Sequence, residues 1–376
     1  MKGEYLRVLM VTPCYDPIKG GTETVVRNLS IELNKNNLHV DVMTFNMDKK
    51  WSPKWHGDFK RIDDINVIKI PAINWYPITH SNRITMGVNL IPGRFTHLFD
   101  NYDIIHFHED VSFPLFSYFS RKLKIFHLHG LDKDFQKRYF FSRFIMKNIA
   151  DIYICLTKQM KNDLISLGIS ENKIRRLPNG VNTDIFFPSV EKEKNLLLFV
   201  GRITPIKGLH VLIDSLSFLK TPVSLIIFGP FDKDIEYSEY ILNAIKSTNE
   251  RGRHKIIYMG RAEQRDLAKW YPKASLFISP SLTEAFSMVN IEALSCGTPV
   301  VSTNVGGIPE VVCNRSNGIL VPPNNPLKLA QAIDHLLLNE DIRKQYGIEG
   351  RKWVIENFSL TVVVDQLIQI YKELYR

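Results

Sequence analysis

Residues 276–302 read LFISPSLTEAFSMVNIEALSCGTPVVS, and this stretch decides the fold class. Leu276, Phe277 and Ile278 form a short apolar run of the kind that makes a buried strand. Pro280 to Phe286 break it with a loop. From Ser287 the apolar residues Met288, Ile291, Leu294 and Ser295/Cys296 recur at helical spacing, and Gly297 stops that helix. Pro299 to Ser302 then read as a second strand. Strand, loop, helix and strand in so few residues define a βαβ unit, which requires a parallel sheet.

The same stretch carries candidate chemistry. Glu284 falls just before the helix N-terminus and Glu292 about one turn inside it. The first N–H groups of a helix lack intrahelical partners and attract anions. Two carboxylates around such a site suit a ligand with hydroxyls at both ends and phosphate between them, as in a sugar nucleotide. On spacing alone, the favoured reading is a surface carboxylate and a half-buried helix carboxylate that merely cap and solubilise.

Working outward, apolar runs alternate with helical patterns along the whole chain. Runs at 6–11, 40–44, 67–70, 103–107, 124–128 and 152–156 read as strands, with a helix at 24–34. A second series has strands at 196–200, 223–228, 256–259, 276–279 and 299–302. Its helices fall at 209–219, 264–271, 287–295, 326–338 and 342–357. A break at Phe186-Phe187-Pro188 divides the chain into domains at 1–187 and 188–357, and 358–376 reads as a further amphipathic helix. The expectation is an α/β protein of two doubly wound, Rossmann-like domains, with strand ends facing one cleft where ligands bind. At 376 residues the chain suits two cores rather than one.

Other classes fit less well. With 44% hydrophobic residues and no long apolar run, the chain reads as globular and without a transmembrane helix. The run 6–11 is too short, and too soon followed by Pro13, for a signal peptide; it reads as a first buried strand. Four cysteines without metal-ligand spacing read as reduced thiols, hence a cytoplasmic expectation. The net charge of +9 concentrates at 121–176, where 13 Lys/Arg meet 5 Asp/Glu. The stretch from Arg121 to Arg176 could lie against an anionic membrane surface, and aromatics such as Phe135, Tyr139 and Phe144 are interleaved in it. No nucleic-acid recognition motif accompanies the charge.

Several motifs flank strand ends. Gly201-Arg202-Ile203-Thr204-Pro205-Ile206-Lys207-Gly208 puts two cations on one loop, suited to a diphosphate. Gly20-Gly21 lies between the first strand and first helix, where backbone can approach a phosphate. His106/His108 and His127/His129 are two His-x-His pairs at strand ends, each pair on one face. Four histidines could converge on zinc, but no acid or cysteine completes a familiar ligand spacing, so no metal is expected. Asp232-Lys233-Asp234 is expected as a solvated turn rather than a metal-binding Asp-x-Asp.

Glu284 to Glu292, with Gly201 to Gly208, Gly20-Gly21, His129-Gly130 and Gly306-Gly307-Ile308-Pro309-Glu310, resembles the family 4 glycosyltransferases (glycosyl transferases group 1), retaining enzymes of GT-B architecture. The resemblance spans Gly20 to Phe358 and implies transfer of a hexose or N-acetylhexosamine from a nucleoside-diphosphate sugar to an acceptor hydroxyl. It implies that Arg202 and Lys207 neutralise the departing diphosphate, Glu284 holds sugar hydroxyls and Glu292 the ribose. Phe286, Ser287, Met288 and Val289 would line the donor, with Arg261 near the base, Gly20 and Gly21 on the opposite wall, and His129 touching the donor sugar; His108 would be a secondary contact near the acceptor. It further implies no Mg²⁺ or other cofactor, with uridine the favoured base and a glycan or lipid-linked acceptor; the basic stretch Arg121 to Arg176 is what suggests meeting that acceptor at the cytoplasmic membrane face. Ser287, Asn290 and Asn182 depart from the family pattern, with Asn290 a candidate donor or acceptor contact. The competing readings are a sugar-nucleotide epimerase of the same fold and a basic-surface binding protein without catalysis.

Overall fold

The computed structural model describes residues 6–18, 20–48, 52, 54, 56–71, 96–108, 120–130, 148, 150–232 and 234–375. The chain divides into two compact units, Met1–Gly180 with Val363–Arg376, and Val181–Val362. The seam therefore falls before the Phe186-Phe187-Pro188 break. Phe186 is buried in the second unit, where its carbonyl accepts from Ser295 Oγ at 2.6 Å.

The first unit is built on an eight-stranded sheet. Its strands are β1 (Arg7–Val11), β2 (His39–Phe45), β3 (Asp58–Ile62), β4 (Ile65–Ile70), β5 (Ile104–His108), β6 (Leu123–Leu128), β7 (Ile152–Cys155) and β8 (Ile174–Arg176), in the order β3-β4-β2-β1-β5-β6-β7-β8. All neighbours are parallel except β3 and β4. Val8 to Val11 and Ile104 to His108 are wholly buried, as befits strands covered on both faces. The β3–β4 hairpin turns on Asp63 and Asp64, both with positive φ (49° and 63°), the geometry a tight two-residue turn demands. Helix α1 (Gly21–Lys35) follows β1 and buries Val25, Val26, Leu29 and Leu33 at helical spacing.

The second unit holds a six-stranded, wholly parallel sheet in the order β11-β10-β9-β12-β13-β14. These strands are β9 (Leu196–Val200), β10 (Ser224–Phe228), β11 (Lys255–Gly260), β12 (Leu276–Ser279), β13 (Val300–Thr303) and β14 (Gly318–Val321). Leu212 and Leu216 of one flanking helix and Leu329, Ile333 and Leu336 of another join Leu197, Leu225 and Ile278 in a continuous core. Each such side chain contributes about 1.5–3 kcal/mol by leaving water.

Strand order reverses between β1 and β5 in the first unit, and between β9 and β12 in the second. Such switch points open a crevice at the carboxyl ends of the strands. Gly20-Gly21 lies beyond β1, Arg202 and Lys207 lie beyond β9, and Glu284 lies beyond β12.

A helix at Ile235–Glu250 has no counterpart in the sequence expectation. Asp234 is exposed, as expected, and its side chain also caps that helix by accepting from Tyr237 N at 3.0 Å. Of the helix's sixteen residues only Ile241 and Ile245 are buried, so its periodic apolar signal is weak. The aromatic and basic stretch around Phe135 and Phe144 lies outside the described residues.

Candidate functional site

In the second unit the loops after β9 and β12 are pressed together. Gly208, at φ +70°, comes so near the Pro280 carbonyl that a Cβ would collide with it. Leu282 N donates to Ile206 O at 2.8 Å across the same contact. This approach brings Lys207 to Glu284, and Lys207 Nζ donates to Glu284 Oε2 at 2.5 Å. Their side chains are only 23% and 13% exposed, so the pair is poorly screened by water. Ser281 Oγ reaches the same carboxylate oxygen at 3.5 Å. The Glu284 backbone is fixed separately, because Gly307 N donates to its carbonyl at 3.1 Å and Gly306, at φ +51°, packs directly against it.

Helix α7 (Met288–Ser295) begins immediately after this loop, with Ser287 as its N-cap. We number the intervening helices α2 (Thr96–Phe99), α3 (Lys158–Ser166), α4 (Leu209–Leu216), α5 (Ile235–Glu250) and α6 (Gln264–Trp270). Among the described residues no side chain caps α7, and Ser287 Oγ is buried without a partner, so it and the first N–H groups of the helix are available to an anion. Glu292 lies within α7, 6% exposed, and accepts from Tyr271 Oη at 2.8 Å. Burial lifts its carboxyl from the usual 4.5 to about 7, while hydrogen bonds from Tyr271 and Gln264 pull the other way. Tyr271 and Gln264 were invisible as site residues in the sequence, since nothing local marks a tyrosine 21 residues upstream as a carboxylate partner.

The other candidates divide. Arg202 is not paired with Lys207; its side chain is 63% exposed and faces Asp232, with Nη1 4.0 Å from Oδ2. Phe286 is 7% exposed and its ring packs on Phe358, centroids 6.0 Å apart, so the ring belongs to the core. Asn290, a candidate contact by its departure from the family pattern, is fully buried and turned toward Ser302 at 3.5 Å. Met288 and Val289 occupy the first turn of α7. Arg261 is exposed, next to Gly260 at the end of the edge strand β11.

In the first unit Gly20 is the N-cap of α1, and a side chain on Gly21 would meet open space. His108 ends β5, in register with His127 of β6. His108 Nδ1 stands 2.9 Å from Nε2 of the half-buried His129. All four histidines therefore gather at one end of the sheet, with ring centroids 4.4 Å apart in both the His106–His108 and His127–His129 pairs.

Two α/β units built on largely parallel sheets, the second with Arg202, Lys207 and Glu284 beyond its strand ends, define a GT-B fold. The profile of Glycosyl transferases group 1 matches residues 181–353, and that of Glycosyltransferase Family 4 matches 19–185. A glycosyltransferase of Methanocaldococcus jannaschii is 30% identical over 98% of this chain and 99% of its own. Sucrose-phosphate synthase from Thermosynechococcus elongatus superimposes with a TM-score of 0.82 at 23% identity, covering 98% of this chain and 99% of its own. Anabaena HepE, solved in complex with UDP and glucose, superimposes with a TM-score of 0.80 at 18% identity, covering 98% and 100%. The chain belongs to the family 4, group 1 glycosyltransferases and is a glycosyltransferase.

Proposed function

We propose that this enzyme moves a hexose or N-acetylhexosamine, with retention of configuration, from a uridine diphosphate sugar to an acceptor hydroxyl. The observation that carries the reading is the Lys207–Glu284 pair set against the uncapped start of α7. Lys207 serves the diphosphate, Glu284 the sugar hydroxyls, and Glu292, held by Tyr271, the ribose. As the bond from the anomeric carbon to the diphosphate breaks, the acceptor oxygen bonds to that carbon on the same face. The acceptor proton passes to the departing phosphate oxygen. Arg202 and Lys207 stabilise the charge that develops there, which removes the need for Mg²⁺. Met288 and Val289 offer backbone N–H groups, Arg261 stands toward the base, and Gly20, Gly21 and His129 serve from the first unit. Uridine is favoured because HepE was solved with UDP and with UDP-glucose.

Thermal-shift measurements with UDP, GDP and ADP, each with and without a chelator, test the donor. UDP should stabilise the enzyme with the chelator present, by RT ln(1 + [L]/Kd), about 2.7 kcal/mol at a hundredfold excess over Kd. Stabilisation by GDP or ADP alone would replace the base, and a strict Mg²⁺ requirement would overturn the metal-free mechanism.

The acceptor on this reading is a glycan, lipid-linked or polymeric, met at the cytoplasmic membrane face. The basic stretch Arg121 to Arg176 supports it; Arg121, Lys158 and Arg176 are all exposed. Among the described residues no helix is long and apolar enough to cross a membrane. The full chain should co-sediment with phosphatidylserine vesicles at low salt and release as salt rises. Equal binding to uncharged vesicles would remove the electrostatic attachment.

A further inference from the structure

The histidine cluster in the first unit is not accounted for by donor chemistry. One ring nitrogen from each of His106, His108 and His127 lies within 4.8 Å of the others, and all three side chains are at most 1% exposed. Among the described residues, His106 Nε2 and both nitrogens of His127 are buried without a hydrogen-bond partner. Leaving such groups unsatisfied is costly, so a ligand that engages them is favoured.

The surroundings match what ligating histidines require. A metal-bound imidazole normally gives its other N–H to a neighbouring acceptor, which fixes tautomer and ring angle. His106 Nδ1 stands 2.6 Å from Tyr371 Oη, and His108 Nδ1 stands 2.9 Å from His129 Nε2. In the tautomer in which those N–H groups donate, Nε2 of His106 and of His108 carries the lone pair that ligation needs. His108 Nε2 lies 3.3 Å from Met10 Sδ, which places a soft thioether beside the imidazoles.

We propose that His106, His108 and His127, with Met10 at their side, bind one late first-row transition-metal ion, copper(I) in preference to zinc(II). Imidazole and thioether together select copper(I) among such ions. The donor set is also wholly neutral, and the cost of burying an ion grows with the square of its charge, so a monovalent ion is accommodated more readily. Ligation at about 2.0 Å draws the nitrogens to about 3.3 Å apart, within reach of small ring rotations. The three histidines lie on β5 and β6 of the first unit.

The test uses the full chain, stripped with a chelator and titrated with copper(I) against a chromophoric competitor, with zinc(II) in parallel. About one copper(I) per chain is expected, with affinity falling on the order of a hundredfold in His127→Val and in His106→Phe, and unchanged in the surface control His39→Ala. Copper-edge X-ray absorption of the wild type should show nitrogen and sulfur neighbours, a readout that does not depend on either variant folding. Zinc(II) binding that is lost in His127→Val, without copper(I) binding, would overturn the choice of ion. Failure of the wild type to bind either ion stoichiometrically, or binding undiminished in both variants, would overturn the site.

Discussion

Lys207→Ala should lower kcat by about 10²–10³, the scale observed when one preorganised donor to a developing oxyanion is removed. Two losses combine in this variant. The departing diphosphate loses a cation, and Glu284 loses the partner at 2.5 Å that balances its 13%-exposed carboxylate. Truncating one member of a poorly hydrated pair leaves the other charge uncompensated, so Lys207→Ala should also melt earlier than wild type. Arg202 provides the contrast. It is 63% exposed and faces Asp232 at 4.0 Å, so Arg202→Ala should lose comparable turnover with the melting temperature unchanged. Steady-state kinetics beside thermal melts separate the two contributions. A drop of less than tenfold in both variants would mean that neither cation meets the leaving group.

Glu292→Gln should make stability less dependent on pH while weakening nucleotide binding. In the folded enzyme this carboxyl titrates near 7, against 4.5 when unfolded. The folded state therefore holds the proton more tightly between those values. The stability this contributes is fully present below about 4.5 and is lost as pH rises through about 7, an effect of up to about 3 kcal/mol. Glutamine has no proton to release. Relative to wild type, the variant should gain up to that amount in denaturant melts at pH 8 and little at pH 4.5. Other titrating groups cancel in the difference. Nucleotide affinity should run the opposite way, because ribose hydroxyls donate best to the ionised carboxylate; UDP binding to wild type should tighten as pH passes 7. A stability difference independent of pH would remove the raised titration, and equal UDP affinity in both proteins would take Glu292 out of the ribose site.

Glu292 shows how folding and function can oppose each other at one residue. Its burial beside Tyr271 costs stability in the ionised form, yet the same burial would strengthen the hydrogen bonds to ribose proposed for it. Tyr271 offsets part of the cost by donating to the carboxylate.

Much of the architecture was legible because it is encoded locally. β9 and β12 coincide with the apolar runs at 196–200 and 276–279, and the helix Pro326–Leu338 matches its periodic stretch. Runs buried on both faces stay apolar throughout, and glycine or proline marks their ends. The elements without a clear signal are those that bury little: β3, exposed along an antiparallel edge; β8 and β14, short edge strands; and α5, with two buried residues. The positions of the candidate groups were legible too, since Arg202, Lys207 and Glu284 follow strand ends and Glu292 lies one turn into a helix.

The sequence by itself thus determined the class of fold, its succession of strands and helices, and the residue types available at each strand end. Tertiary structure decided which of them meet. β9 lies between its successor β10 and the distant β12, and this non-sequential pairing brings Lys207 to Glu284 across 77 positions while leaving Arg202 with Asp232. Register decided the histidines in the same way, setting His108 opposite His127. Periodicity reports only which face of its own element a residue occupies. The distance between two side chains depends on strand order and on close backbone approaches such as Gly208 to Pro280, which arise only when the whole sheet packs.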